Sequence, residues 1–238
     1  MSLDVAAPSV RHPSPPLGAL ALVHTILFLS GLAFVVTFTG GPHFPGPWEP
    51  ADAITTYFRE HASSVRMCAF LQLGAAVPLL LFSASTSSRL RFLGVRAAGA
   101  TIALAGGLMT ALHMAAAALI LWVMAYPGIA QDAGVLRALY YLSYAFGGPG
   151  FSVPFGLLAA GVSVSAGFAK LLPRWVVALG IVLALAGELS WLNLVLPQAL
   201  PLIPLTRFPG FVWLVAAGFL LPGAVASPER ASGRGVVP

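Results

Sequence analysis

The sequence predicts an all-α fold: a polytopic membrane helix bundle with six transmembrane helices. Hydrophobic residues make up 58% of the chain and charged residues 8%, whereas a soluble domain carries roughly 25% charged residues. The apolar residues fall in runs of about 20, the length that an α-helix needs to cross a bilayer core of roughly 30 Å. A chain of 238 residues with so little polar surface has lipid as its solvent.

Six apolar runs meet this length requirement, and the segments between them carry the prolines, glycines and charges of loops. The first run is longer than the apolar core of a signal peptide and has no clear cleavage site after it, which indicates an uncleaved membrane helix. The predicted spans are 17–39, 65–87, 97–125, about 149–169, 175–196 and 208–226. The predicted domains are a disordered tail at 1–16, the six-helix transmembrane domain at 17–226 and a disordered tail at 227–238.

The basic residues divide unevenly between the two sides of this bundle. The side of the termini holds Arg11, Arg89, Arg91, Arg96, Lys170, Arg174, Arg230 and Arg234, and the other side holds Arg59, Arg66, Arg137 and Arg207. Short loops rich in Lys and Arg stay in the cytoplasm, so we expect a bacterial inner-membrane protein with both termini cytoplasmic. A membrane-orientation signal explains the basic residues behind the net charge of +5 better than nucleic-acid binding does. The basic residues form no patch, so the expected partner is the lipid bilayer and not a nucleic acid.

The segment between the first two spans, ADAITTYFREHASSVR (51–66), is amphipathic. Ile54, Tyr57 and Phe58 fall on one helical stripe, and the charged residues lie off it. One interpretation is an interfacial helix that leads into the second span. The functional alternative places the charged side chains at the lip of an outer binding vestibule. The predicted vestibule residues are Asp52, Arg59, Glu60, His61, Arg66, Arg137 and Arg207.

The region from Val135 to Ala169 is too long for one span, because as a single helix it would measure about 52 Å. The GGPG sequence at 147–150 predicts that the helical ladder is interrupted between Phe146 and Phe151. Two arrangements follow from such a break. Either 135–146 lies at the outer interface as an aromatic belt, which we prefer, or the helix is broken inside the bundle.

A weak internal repeat is also present. The loops at 87–96 and 165–174 match in length, and each follows a helix that contains Val-Pro, at Val77-Pro78 and Val153-Pro154. Each is followed by a helix that contains ALAG, at 103–106 and 184–187. These matches indicate a duplicated helical pair of the kind that many transporters contain. Chance matches in a sequence rich in Ala, Leu and Gly are the alternative.

Catalytic and metal-binding motifs are absent from the sequence. No nucleotide-binding glycine motif, no zinc-protease motif and no CxxC occurs, and the single cysteine, Cys68, excludes an intramolecular disulfide. No His follows Ser152, which argues against an intramembrane serine protease, and His24 and His113 lie at different depths, which argues against one haem. We therefore predict no catalytic residue, no metal site and no cofactor. Enzyme activity stays open but is the less favoured class.

An acidic residue inside an apolar run, LALAGELSWLNLV at 183–195, marks the candidate ligand or proton pocket. Gly180, Ala184 and Glu188 follow one helical stripe, so the acid continues a surface that a neighbouring helix can approach. Ionisable groups inside a membrane face protein or water. Glu188 would lie about 20 Å and His113 about 24 Å from the cytoplasmic interface, a difference that tilt and side-chain length could close. We therefore expect a neutral carboxylic acid hydrogen-bonded to a neutral imidazole. The predicted pocket residues are Glu188, His113, Thr110 and Gln72, and the alternative for each is a structural hydrogen bond.

The sequence as a whole resembles a group of bacterial inner-membrane proteins. The similarity rests on the six spans, the basic second loop, GGPG before the fourth span, LLPRW at 171–175 and FPGFVWLVAAGFLLP at 208–222. These features resemble the family called domain of unknown function 4386, over about residues 17 to 222. The resemblance implies the fold and the location in the membrane, and it implies no mechanism.

Two classes of function remain. In the first, the protein binds or moves a small solute or protons through an outward-opening pocket. In the second, it is a non-catalytic accessory or structural membrane subunit, and its polar residues only hold helices together. Transport predicts polar residues that continue to the cytoplasmic side, where only His24 and Thr25 stand.

Overall fold

The computed structural model describes residues 9–38 and 43–226, and within them almost every element is helical. The helices are α1 (Leu17–Val36), α2 (Ala51–Glu60), α3 (Ala62–Phe92), α4 (Gly99–Met124), α5 (Pro127–Gln131), α6 (Ala133–Gly147), α7 (Pro149–Phe168), α8 (Arg174–Leu189) and α9 (Leu202–Leu220). Two 3-10 turns (Ser190–Leu194 and Pro197–Ala199) connect α8 to α9, and two short strands, β1 (Ser9–Arg11) and β2 (Ala224–Ala226), pair antiparallel.

The predicted all-α bundle and its six spans are confirmed. Six helical segments are long and apolar enough to cross a membrane: Leu17–Val36, Ala62–Phe92, Gly99–Met124, Ala133–Phe168, Arg174–Leu194 and Pro197–Leu220. A helix satisfies its own backbone hydrogen bonds, which is why apolar runs adopt this form in lipid. This is the arrangement of a multi-pass membrane protein.

The last span lies earlier in the chain than 208–226, so that boundary was wrong. The helix α9 begins at Leu202 and ends at Leu220. The prolines of PQALPLIPLTR suggested a loop, but a helix tolerates proline in its first turn, where the N–H has no helical partner. The end at Leu220 follows from Pro222, because the residue before a proline avoids the helical conformation.

The predicted interruption of the fourth span is confirmed. Helix α6 ends at Gly147 and α7 begins at Pro149, with Gly148 between them at φ −86° and ψ −101°. Helix α6 packs along the end of α4, where the Ser143 hydroxyl donates to the Ala117 carbonyl at 3.1 Å. This packing fits a helix broken inside the bundle better than it fits the arrangement that we preferred, in which 135–146 lies at the outer interface.

The spanning helices form a closed ring. Helix α1 packs on α3, α3 on α4, α4 on α7, α7 on α8 and α8 on α9, and α9 returns to α1. Small residues allow the close approaches: a Cβ on Gly161 of α7 would lie 2.5 Å from the Ala103 nitrogen of α4, and one on Gly187 of α8 would lie 2.6 Å from the Ser152 carbonyl of α7. Helix α7 therefore separates α4 from α8.

The two ends of the bundle differ in charge. We call one the basic end, because its loops carry Arg91, Arg96, Lys170 and Arg174, and the other the acidic end, because its segments carry Glu49, Asp52, Glu60 and Asp132. The strands β1 and β2 lie at the basic end, where Arg89 donates to Ser14 Oγ at 2.7 Å. This part of the chain is thus ordered, in contrast to the predicted disordered tail, because residues 9–11 pair with β2 and Ser14 accepts from Arg89 of α3. The rest of both predicted tails lies outside the described residues.

At the acidic end, the amphipathic stripe of α2 forms a second core. Ile54, Tyr57 and Phe58 are buried, as the sequence predicted. The Tyr57 hydroxyl donates to the Val35 carbonyl at 2.6 Å, and Tyr140 of α6 packs edge-to-face on Phe58. Helix α2 is therefore anchored to α1 and α6 through its aromatic face.

Candidate functional site

Glu188 lies in the last turn of α8, against the first half of α7. Its Oε1 is buried and has no hydrogen-bond partner among the described residues, and a Cβ on Gly156 of α7 would lie 3.2 Å from this oxygen. Directly after Glu188 the helix tightens into the 3-10 turn, where Ser190 Oγ donates to the Gly187 carbonyl at 2.6 Å. The carboxyl group is thus placed at a helix end and left without a partner.

His113 donates to a carbonyl group that a proline has freed. Its Nδ1 lies 2.5 Å from the Gly150 oxygen of α7. In a regular helix that oxygen would accept from residue 154, but Pro154 has no N–H. A carbonyl oxygen only accepts, so Nδ1 carries the proton and Nε2 has the free lone pair. His113 therefore makes a structural hydrogen bond, which was the alternative to a role in the pocket.

The predicted pairing of Glu188 with His113 is not formed. His113 meets α7 at Gly150 from α4, whereas Glu188 meets it at Gly156 from α8, and α7 lies between those two helices. Within the described chain no hydrogen bond joins the two side chains. The expected depths came from each helix alone; along α7 the two contacts lie six residues apart, about 9 Å, and depth does not fix which helices are neighbours.

The other two predicted pocket residues also make structural contacts. Thr110 is buried, and its hydroxyl donates to the Gly106 carbonyl of its own helix at 2.7 Å. The Gln72 side chain packs beside α1, where a Cβ on Gly31 would lie 3.4 Å from its Cγ. Neither contact brings them to Glu188.

A second histidine also donates to a carbonyl near a proline inside a helix, although not to the carbonyl that this proline frees, which is that of Gly74. His24 of α1 is fully buried, and its Nδ1 donates to the Ala75 carbonyl of α3 at 2.9 Å. Ala75 lies three residues before Pro78, where a proline disturbs the helical ladder.

The two helices that contain Val-Pro, α3 and α7, also share the position of the proline. In each helix the proline lies at the same distance before the last helical residue, which is Phe92 in α3 and Phe168 in α7. The likeness of these two helices therefore extends beyond the Val-Pro motif.

Arg207 lies inside the bundle and not at the lip of a vestibule. Its guanidinium carbon lies 4.5 Å from the ring centre of Phe151 and 5.4 Å from that of Phe28. One N–H donates to the Gly147 carbonyl at the break, which has no helical partner because the Phe151 N–H donates to Gly148. Nε is buried without a hydrogen-bond partner, and no carboxylate of the described residues forms an ion pair with the guanidinium.

His24 shares one of these rings, Phe28, with Arg207. Its ring centre is 5.7 Å from Phe211 and 6.5 Å from Phe28, and its Nε2 is buried without a partner. We call Arg207, His24, Phe28, Phe151 and Phe211 the polar centre. Among the described residues, the Arg207 guanidinium has no carboxylate partner and its Nε–H donor is unused. The Nε2 of His24 is an unused acceptor. This grouping could not be predicted from the sequence, because its two polar members come from the first and last spans.

The predicted vestibule is formed in part. Asp52, Glu60 and His61 line one cavity of about 250 Å³ at the acidic end, together with His43 and Glu49. The remaining predicted residues lie elsewhere: Arg59 in the last turn of α2, Arg66 in a groove between α3 and α4, Arg137 on α6, and Arg207 in the polar centre. The cavity is therefore acidic.

Glu49 is the most strongly held acid of this cavity. Its carboxylate accepts from the Gly46 N–H at 2.7 Å and from His43 Nε2 at 3.0 Å. These two hydrogen bonds hold the pKa of Glu49 below its ordinary value. Among the described residues no group of three or more His, Cys, Asp or Glu side chains is arranged to hold a metal ion.

No known protein family, curated protein or solved structure matches this chain. The function must therefore be argued from the chemistry of the site.

Proposed function

We propose that this protein binds a small anionic solute at the polar centre, within a bacterial inner membrane and with the acidic end facing outward. The observation that carries the proposal is the Arg207 guanidinium, which lies among aromatic rings without a carboxylate partner. A charged side chain in a membrane costs about 2.5–3.5 kcal/mol on insertion scales and is normally paired. The Gly147 carbonyl and the two rings stabilise this cation in part, and an anionic ligand would supply the opposite charge that no described carboxylate provides.

The donors of Arg207 favour an oxyanion. Arginine has five N–H donors in a rigid fork that matches carboxylate and phosphate groups. Within the described chain only one hydrogen bond, to Gly147, uses this fork, and the buried Nε–H is free. An oxyanion would accept from the free donors and neutralise the charge, and such charge-assisted hydrogen bonds are about twice as strong as neutral ones.

His24 narrows the class of solute. Its Nδ1 donates to Ala75, so its buried Nε2 can only accept. An oxyanion that keeps a hydroxyl proton, such as hydrogen carbonate or dihydrogen phosphate, would accept from Arg207 and donate to His24. The three arginines at the acidic end (Arg59, Arg66 and Arg137) offset all but one of its four carboxylates, so the approach of an anion from that side is not opposed by a large negative field.

The orientation is tested separately. Reporter domains fused after Arg96 and Arg174 should lie in the cytoplasm, and one fused after Gly134 should lie outside. The reversed pattern would place the acidic end in the cytoplasm and would remove the outward-facing part of the proposal.

Anion binding is tested by thermal unfolding of the purified protein in nanodiscs of zwitterionic lipid. The probes are hydrogen carbonate, phosphate, sulfate and acetate at constant ionic strength, with chloride as the reference. We expect at least one oxyanion to raise Tm; a ligand at 100 times its Kd stabilises by about 2.7 kcal/mol. The effect should disappear in Arg207→Gln, weaken in Arg207→Lys, which loses the fork, and persist in Arg59→Gln, which removes the same charge at an exposed position.

Two results would overturn this proposal. If Arg207→Gln responds to the anions as the parent does, the polar centre is not the binding site. If no anion stabilises the parent, the cation is structural, and the accessory-subunit alternative is favoured. We also propose membership of the domain of unknown function 4386 family. An alignment of that family in which Arg207 or its GGPG break had no counterpart would count against it.

A further inference from the structure

At the basic end, the last turn of α7 stands between two apolar grooves. One groove, of about 750 Å³, runs between α7 and α8, and the other, of about 490 Å³, runs between α4 and α7. Val164 and Phe168 line both grooves. The Phe168 side chain is 88% exposed at the end of the helix, so its ring forms the ridge between them. The walls are almost entirely apolar, which suits hydrocarbon chains.

Basic side chains close both grooves at the same end. Lys170, from the loop between α7 and α8, and Arg174, the first residue of α8, line the larger groove. Arg96, from the loop between α3 and α4, lines the smaller one. None of the three forms an ion pair within the described residues, whose acids lie at the acidic end or at Glu188. Each groove thus combines an apolar wall with an unpaired cation at the membrane surface.

The backbone at Lys170 is an independent sign that this ammonium group has a use. Lys170 has φ +53°, the left-handed region, whereas the corresponding residue two positions after the end of α3 is Gly94, with φ +89°. Glycine adopts this conformation without strain, but a residue with a Cβ is disfavoured there. The turn after α7 therefore holds a lysine at a position where glycine would be more stable.

We propose that these grooves bind anionic phospholipids, whose phosphate accepts from Lys170 and Arg174 in the larger groove and from Arg96 in the smaller one. The acyl chains lie along the walls on either side of Phe168. Basic pockets between membrane helices bind anionic headgroups through such an arrangement, because the cations lie at headgroup depth and the walls replace neighbouring lipid. The proposal does not depend on the polar centre or on which side of the membrane the basic end faces.

The test measures lipid binding to the purified, detergent-solubilised chain by native mass spectrometry and by the rise in Tm. The probes are phosphatidylglycerol and, with the same acyl chains, phosphatidylcholine. Glycerol 3-phosphate supplies the charge without the chains. We expect phosphatidylglycerol alone to be retained and to stabilise. The double variant Lys170→Gln/Arg174→Gln should bind it about thirtyfold more weakly, from the usual contribution of two basic residues at a charged interface.

Two control variants separate this site from general charge effects. Arg59→Gln/Arg137→Gln removes the same charge at the acidic end, from positions that line neither groove, and should leave phosphatidylglycerol binding unchanged. Val164→Trp fills both grooves from an exposed position and keeps every cation, so it should reduce binding even if the double variant fails to fold.

The proposal is overturned if the double variant, or Val164→Trp, retains phosphatidylglycerol as the parent does. It is also overturned if phosphatidylcholine binds equally well, or if glycerol 3-phosphate alone gives the full rise in Tm. A dimer that forms in detergent and is disrupted by Val164→Trp would assign the grooves to a second copy of the chain.

Discussion

The contact between α4 and α7 predicts opposite effects for the same substitution at two glycines. In Gly161→Ala, the new Cβ would lie 2.5 Å from the Ala103 nitrogen and 2.6 Å from the Gly99 oxygen, both of which are backbone atoms. In Gly74→Ala of α3, the new Cβ would meet only the Leu27 Cδ1, at 3.9 Å. Both residues lie inside helices, so the change in helix propensity is the same for both.

The magnitude follows from two opposing contributions. Alanine is favoured over glycine inside a helix by roughly 0.5–1 kcal/mol. Overpacking costs about 1–3 kcal/mol, and at Gly161 the obstacle is the backbone of α4, so the two helices must separate. We therefore expect Gly74→Ala to stabilise the protein by roughly 0.5–1 kcal/mol and Gly161→Ala to destabilise it by up to about 2 kcal/mol.

The assay is reversible unfolding of the purified protein in mixed micelles as the denaturing detergent is increased, followed by tryptophan fluorescence. The two variants and the parent are compared in the same lipid and detergent. If Gly161→Ala is as stable as the parent, or if both variants shift by the same amount and sign, the close approach of α4 and α7 is not as described, and the ring order that depends on it fails.

Two further predictions concern single polar groups. His113→Ala removes the donor that satisfies the Gly150 carbonyl, so we expect a loss of about 1–3 kcal/mol in the same unfolding assay, the cost of an unsatisfied buried acceptor; an unchanged midpoint would mean that another donor reaches this oxygen. The pKa of Glu49 is lowered in the folded state. The ionised carboxylate therefore stabilises the folded segment at a pH above the pKa of the unfolded chain. This stabilisation is lost as the pH falls through the folded pKa, on the acid side of 4.5. Protease cleavage of the segment at 43–49 should therefore rise in that acid range in the parent. The Glu49→Gln variant should be cleaved readily at neutral pH, and its cleavage should change little as the pH falls. A parallel pH dependence in both proteins would show that another group titrates.

Several features could be predicted from the sequence because each depends on local chemistry. Apolar runs of sufficient length become spans whatever their neighbours are, since a helix is the form that satisfies its own backbone in lipid. The break at Gly147–Pro149 is equally local, because proline lacks the N–H that a continuous helix needs. The aromatic stripe of α2 follows from helical periodicity.

The candidate site could not be predicted to the same extent, because it depends on which helices are neighbours. Arg207 is polar in any arrangement, yet its contact with Phe28 and Phe151 exists only because α9 closes the ring against α1 and lies near the break in the fourth span. The predicted start of α9 was wrong for a similar reason. The prolines of PQALPLIPLTR are typical of a loop, but the first turn of a helix accommodates proline.

The sequence by itself determined that the helices are apolar enough for lipid, how many spans there are, where the fourth span breaks and how charge divides between the two ends. These properties depend on composition and on the spacing of residues within one helix. Only the tertiary structure decided that His113 and Glu188 stand on different sides of α7, that His24 and His113 satisfy carbonyls beside Pro78 and Pro154, and that Arg207 has no carboxylate partner within the described chain. The physical reason is that membrane helices gain little from hydrophobic burial against one another, so their order is set by close packing of small residues and by hydrogen bonds between segments far apart in the chain.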